Sequence, residues 1–156
     1  MNHWLVKSEP DVFSLDDLAN SPDQTTYWDG VRNYQARNFL RDSMKLGDRV
    51  LFYHSNTDPM AVTGWCEVVK EGYPDASAFD PDSKYFDAAS TPDNPVWIMV
   101  DIKLKEKFPR QVTLQEIKDN PALEGILLTK RGNRLSVFPV SEEHFNEIVR
   151  MGNTLQ

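Results

Sequence analysis

Trp28-Asp29-Gly30-Val31-Arg32-Asn33-Tyr34 gathers two large aromatic rings, an amide and a guanidinium around a turn glycine. Such rings offer stacking faces worth about 0.5 to 1.5 kcal/mol beyond the area they bury. Asn33 carries both a donor and an acceptor for a ligand edge. The stretch therefore has two readings: a wall for a planar, polar ligand, or a helix N-terminus with Trp28 packed into the core.

Two apolar runs on either side end in similar polar clusters. His3-Trp4-Leu5-Val6 reads as a strand that runs into Lys7-Ser8-Glu9 and is stopped by Pro10. Arg49-Val50-Leu51-Phe52-Tyr53 reads as a second strand, ending in His54-Ser55-Asn56. Between them, Phe13 to Asn20 reads as a short helix with Ser14 as N-cap. Asn33 to Ser43 reads as another, with Ala36, Phe39 and Leu40 at helical spacing.

Farther along, Ala61 to Lys70 is apolar on both faces and reads as a strand inside the sheet. Tyr73 to Asn94 lacks sustained periodicity and reads as a long loop. Val96 to Phe108 returns to strand character, with Ile102, Leu104, Glu106 and Phe108 expected on one face and Lys103, Lys105 and Lys107 on the other. Thr113 to Lys118 and Ser141 to Arg150 are expected helices, the second burying Phe145, Ile148 and Val149. Short strands with interspersed helices imply an α+β domain on a curved or barrel-like sheet.

In their order and spacing, three segments carry a resemblance. They are Trp4-Leu5-Val6-Lys7-Ser8-Glu9-Pro10, then Trp28 through Tyr34 with Gln35-Ala36-Arg37, then Gly47-Asp48 leading to Tyr53-His54-Ser55. Tyr73-Pro74-Asp75 and Arg134-Leu135-Ser136-Val137 match more weakly. The sequence resembles the EVE domain family, within the PUA-like superfamily, over nearly its whole length. The resemblance implies one domain spanning 1–156, a PUA-like curved β-sheet or pseudobarrel flanked by short α-helices, with a cleft that receives a base or nucleotide.

It also implies a non-catalytic nucleic-acid-binding module that takes a modified base, such as methylated or hydroxymethylated cytosine, from DNA or RNA. Trp28 and Tyr53 are the rings expected against that base, and Asn33, Ser8 and Ser55 the groups reading its polar edge. Lys7, Arg32 and His54 are expected to contact a phosphate or hold the pocket walls. RNA or a free nucleotide-like metabolite in the same pocket is the alternative. Trp4, Trp65 and Trp97 lie in strand-like runs and read as core.

Composition bounds these expectations. A chain of 156 residues is long enough for one core. The net charge of -7 argues against tight nonspecific attachment to phosphates. Lys103 to Arg134 nevertheless holds eight basic and four acidic residues, so a local basic patch is one reading and a solvated strand face the other. No apolar run approaches the roughly 20 residues that span a bilayer. The single Cys66 cannot form an internal disulfide. With no leader-like N-terminus, a cytoplasmic protein without membrane attachment is expected.

The chemistry of an enzyme is poorly supplied. His54 and Ser55 are strand neighbours and diverge to opposite faces. Cys66 lies in an apolar strand without an activating neighbour. Asp80, Asp82 and Asp87 lack the glycine and terminal glutamate of a calcium loop. The three histidines have no zinc spacing, and no glycine-rich phosphate loop is present. No cofactor or metal is expected.

Overall fold

The computed structural model describes residues 1–154. Strand β1 (His3–Ser8) and strand β3 (Arg49–His54) lie parallel, with Lys7 opposite Tyr53 and Ser8 opposite His54. Their alternating side chains feed two separate cores. Trp4, Val6, Val50 and Phe52 pack on one side of the sheet with Trp28, Leu18 and Leu40. Leu5, Leu51 and Tyr53 pack on the other with Phe138, Phe145 and Ile148.

The sheet is six-stranded and mixed, in the order β2-β5-β4-β3-β1-β6. Its remaining strands are β2 (Thr25–Tyr27), β4 (Ala61–Pro74), β5 (Ile98–Thr113) and β6 (Val137–Val140). β1 and β3 form the parallel pair, the other neighbours are antiparallel, and β2 and β6 are the two edges.

Irregular register along the β4–β5 pair corrects one expectation. Cys66 pairs with Leu104 but Trp65 pairs with Glu106, so β5 carries one extra residue. A bulge of this kind reverses the faces beyond it. Ile102 and Leu104 accordingly enter the first core, whereas Phe108 and Val112 enter the second. Strict alternation had placed Ile102, Leu104 and Phe108 together.

Side-chain caps open the helices, Ser14 as expected. Ser14 accepts from the Asp17 amide at 3.0 Å and starts helix α1 (Leu15–Ala19). Asn33 accepts from the Ala36 amide at 3.0 Å and starts helix α2 (Tyr34–Asn38), which widens into one π turn over Phe39–Ser43. Thr113 caps helix α3 (Leu114–Asp119), and Ser141 caps helix α4 (Glu142–Gly152), which buries Phe145, Ile148 and Met151. Val149 is only partly buried. The expected loop beyond β4 contains one 3-10 turn, Ala76–Phe79. Its aspartates make local turns: Asp80 accepts from the Asp82 amide, and Asp87 from the Ala89 amide and the Trp97 indole.

Candidate functional site

Several chain segments converge on a cleft of about 530 Å³, within the roughly 300 to 1,000 Å³ common for ligand sites. The end of β1 supplies Lys7 and Ser8, and the following turn supplies Glu9, Val12 and Phe13. The stretch leaving β2 supplies Thr26 to Val31, with Ser55 beyond β3, Lys84 and Tyr85 from the long loop, and Arg134 to Ser136 before β6.

Backbone pairing sets these segments beside one another. The Lys7 amide donates to the Ser136 carbonyl, and the Ser55 amide to the Ser8 carbonyl, both at 2.9 Å. The Ser8 hydroxyl donates to the Phe13 carbonyl at 2.6 Å and closes the turn after β1. The Trp28 amide donates to the Val100 carbonyl at 2.7 Å, carrying the sheet ladder past the end of β2.

Gly30 and Arg32 lock the opening stretch to the long loop. Gly30 has φ +79°, and a Cβ there would lie 2.6 Å from the Tyr85 ring, so the position favours glycine on both counts. Arg32 donates to the Tyr85 carbonyl through Nε at 3.1 Å and Nη2 at 2.7 Å. It also donates to Asp75 at 3.0 Å. The Asp75 side chain is fully buried, and it accepts from the amides of Gly30 and Ser77 as well, both at 2.9 Å. Burial alone would push its carboxyl up, but hydrogen bonds from Ser77, Gly30 and Arg32 hold it below the usual carboxylate range.

Trp28 both packs into the core and lines the cleft. It is 8% exposed, packing edge-on to Phe52 at 5.5 Å and Phe13 at 6.4 Å between ring centroids. The indole N–H groups of Trp4 and Trp97 are taken by Asp48 and Asp87. That of Trp28 has no acceptor among the described residues, yet no buried side-chain nitrogen lacks a partner. The Trp28 N–H therefore reaches solvent, in a residue that lines the cleft.

Of the expected site residues, Lys7, Ser8, Trp28 and Ser55 line the cleft, and Arg32, Asn33, Tyr53 and His54 do not. Arg32 holds the wall from behind. Asn33 is occupied as the α2 cap, its Oδ1 engaged by Ala36. Tyr53 points into the second core, because it is one residue out of phase with Phe52, and burial pushes its phenol up to about 12. His54 Nε2 accepts from the Leu15 amide at 3.1 Å and so serves the start of α1. Trp4 and Trp97 are buried as expected, while Trp65 is only partly so.

The two readings of the β5 lysines are separated by their ion pairs. Lys103, Lys105 and Lys107 pair with Asp23, Glu67 and Asp16 at 3.2, 3.5 and 2.7 Å, as on a solvated strand face. Lys7, Lys84 and Arg134, on the cleft wall, have no carboxylate partner among the described residues. Lys7 is half-buried with its ammonium 5.7 Å from the Phe138 ring centroid, and desolvation lowers its pKa. Asp29, Lys84, Tyr85 and Arg134 are among the cleft residues that the sequence reading assigned no binding role. Asp29 lay in the opening stretch and Arg134 in the weaker match at Arg134-Leu135-Ser136, whereas Lys84 and Tyr85 carried no signal.

Cys66 is fully buried, and desolvation raises its thiol pKa far above neutrality. His54 and Ser55 part as expected, the first toward α1 and the second onto the cleft.

The family model described as the EVE domain matches residues 2–151. Thymocyte nuclear protein 1 of Gallus gallus is 42% identical, over 96% of this chain and 68% of its own length. Its Homo sapiens counterpart is 40% identical, over 96% and 73%. The crystal structure of human THYN1 protein in complex with 5-methylcytosine-containing DNA superposes with a TM-score of 0.93 at 40% identity, covering 100% of both chains. The shared name of these relatives points to a nuclear protein and overturns the expectation of a cytoplasmic one.

Proposed function

The chain belongs to the EVE domain family, with its PUA-like α+β fold, and on that premise we propose that its cleft is a non-catalytic reader of a modified cytosine in DNA. The observation that carries this reading is an aromatic-walled cleft with the Trp28 N–H left open, three carboxylate-free cations on its wall, and the match to a relative solved with 5-methylcytosine-containing DNA.

Each part has a physical task. A paired base cannot reach a concave site, so it must leave the stack at a cost of a few kcal/mol. Contact with the rings of Trp28, Phe13 and Tyr85 offsets that cost, base-on-aromatic stacking being worth about 1 to 3 kcal/mol. Lys7, Lys84 and Arg134 attract the strand's phosphates, and this favours a polymer over a free metabolite. Val31 and Leu135 give the cleft apolar surface for a C5 substituent. A buried methyl contributes about 0.8 kcal/mol.

The test is tryptophan fluorescence of the intact protein, titrated with a duplex oligonucleotide carrying 5-methylcytosine and with its unmodified twin. The methyl term corresponds to about fourfold tighter binding of the modified duplex. Equal affinity for the twins overturns the reading, and tighter binding of an unmodified RNA of the same sequence favours an RNA partner.

A further inference from the structure

Among the acidic side chains on the cleft wall, Asp29 lacks a side-chain hydrogen-bond donor. It is half-buried, yet the donor it finds is its own backbone N–H. Asp75, behind the wall, collects Gly30, Ser77 and the Arg32 guanidinium. That leaves the Arg32 donors committed to Asp75 and the Tyr85 carbonyl, so Arg32 and Lys84 act on Asp29 through charge and not through a hydrogen bond. Beside Asp29 in the chain, and on the same cleft, is the equally unpartnered Trp28 N–H.

From this juxtaposition we infer that Asp29 and Trp28 together read the hydrogen-bonding edge of the base. Asp29 accepts an N–H and the Trp28 indole donates to the acceptor next to it. This inference rests on the base-reading function proposed above. Cytosine presents such an edge, its exocyclic amino group standing next to the ring N3 acceptor. The C5 position lies off that edge. Asp29 therefore recognises the base, and the apolar walls recognise what C5 carries.

Its surroundings keep this acceptor poised. Burial, then the negative charge of Asp75, push the Asp29 carboxyl up from its ordinary range, so its ionised form is penalised until a donor arrives. A half-buried carboxylate on the cleft wall with no side-chain donor is free to accept from a ligand.

Asp29→Ala and Asp29→Asn, made in the full chain, test the inference by thermal melting of the free protein and by titration with the methylated duplex and its twin. Asp29→Ala is expected to melt no lower than wild type near neutral pH. Its affinity should fall about tenfold or more for both duplexes, leaving their ratio unchanged. Asp29→Asn keeps a side-chain oxygen and should lose less. The inference is overturned by wild-type affinity in Asp29→Ala, by a lower melting temperature, or by a ratio that collapses to one. A wild-type protein that binds neither duplex instead overturns the base-reading function on which the inference stands.

Discussion

Replacing Arg32 by Met keeps most of the aliphatic stem but removes the side-chain donors that tie the Trp28–Tyr34 stretch to the long loop, leaving the Gly30 amide on Asp75. Four hydrogen bonds to partners in that loop are lost: one to Asp75 at 3.0 Å, two to the Tyr85 carbonyl at 3.1 and 2.7 Å, and one to Ser77 Oγ at 3.3 Å. Removing one partner of a buried ion pair costs about 3 to 5 kcal/mol. Asp75 keeps the donors of Gly30 and Ser77, and the Arg32 side chain is 23% exposed, so solvent screening brings the expected cost down to about 2 to 3 kcal/mol. In a chain of this size each kcal/mol lowers the melting temperature by about 2 to 4 °C, which gives a drop of roughly 5 to 10 °C. Differential scanning fluorimetry measures it, and combining the change with Asp75→Asn tests the coupling: the double variant should be less destabilised than the sum of the singles. An Arg32→Met protein that melts with wild type but no longer binds DNA would refute the clamp and make Arg32 a ligand contact.

Other perturbations separate structure from recognition elsewhere in the cleft. Trp28→Ala is expected to destabilise the chain by about 3 to 5 kcal/mol, because the ring is part of the first core. Trp28→Phe deletes the open N–H at a smaller cost in packing and should weaken DNA binding while the protein stays folded in thermal melts. His54 must be neutral to accept from Leu15, and burial lowers its pKa. The unfolded chain therefore takes up the proton first, and stability is lost as pH falls below about 6.5. His3 titrates in the same direction, so His54→Gln should make the melting temperature between about pH 7.5 and pH 5.5 less pH-dependent without abolishing the dependence. An unchanged slope would contradict the His54 assignment. Replacing Lys84 and Arg134 by Ala should reduce the slope of log affinity against log salt by about two, at roughly 0.9 per lost phosphate contact. A slope equal to wild type would remove both from the backbone path.

Local signals carried much of the fold. Ser14, Asn33, Thr113 and Ser141 each begin a helix as caps, because capping depends on residues within one turn. The strands at His3 and Arg49 were equally legible, ending in the polar groups that meet at the cleft. What failed was non-local. The bulge that reverses β5 before Phe108 is set by pairing with β4, and strict alternation could not foresee it. Tyr53 looked like a stacking ring, but alternation states only that Phe52 and Tyr53 part. Which of the two faces the Trp28 side depends on what α1, α2 and α4 cover. Lys84 and Tyr85 reach the site from a loop more than fifty residues away in sequence, brought there by Arg32 and Asp75. No periodicity marks such a contact. The lysines of β5 left two readings open for the same reason, since their carboxylate partners Asp16, Asp23 and Glu67 lie on other elements.

Capture of the modified base by the cleft is tested most directly by NMR on a complex with DNA whose 5-methylcytosine methyl is ¹³C-labelled. Nuclear Overhauser contacts from that methyl to protons of Trp28, Val31 or Leu135 are expected on binding. A methyl that keeps its contacts to neighbouring bases, and shows none to these side chains, would mean that the base never leaves the duplex for this site.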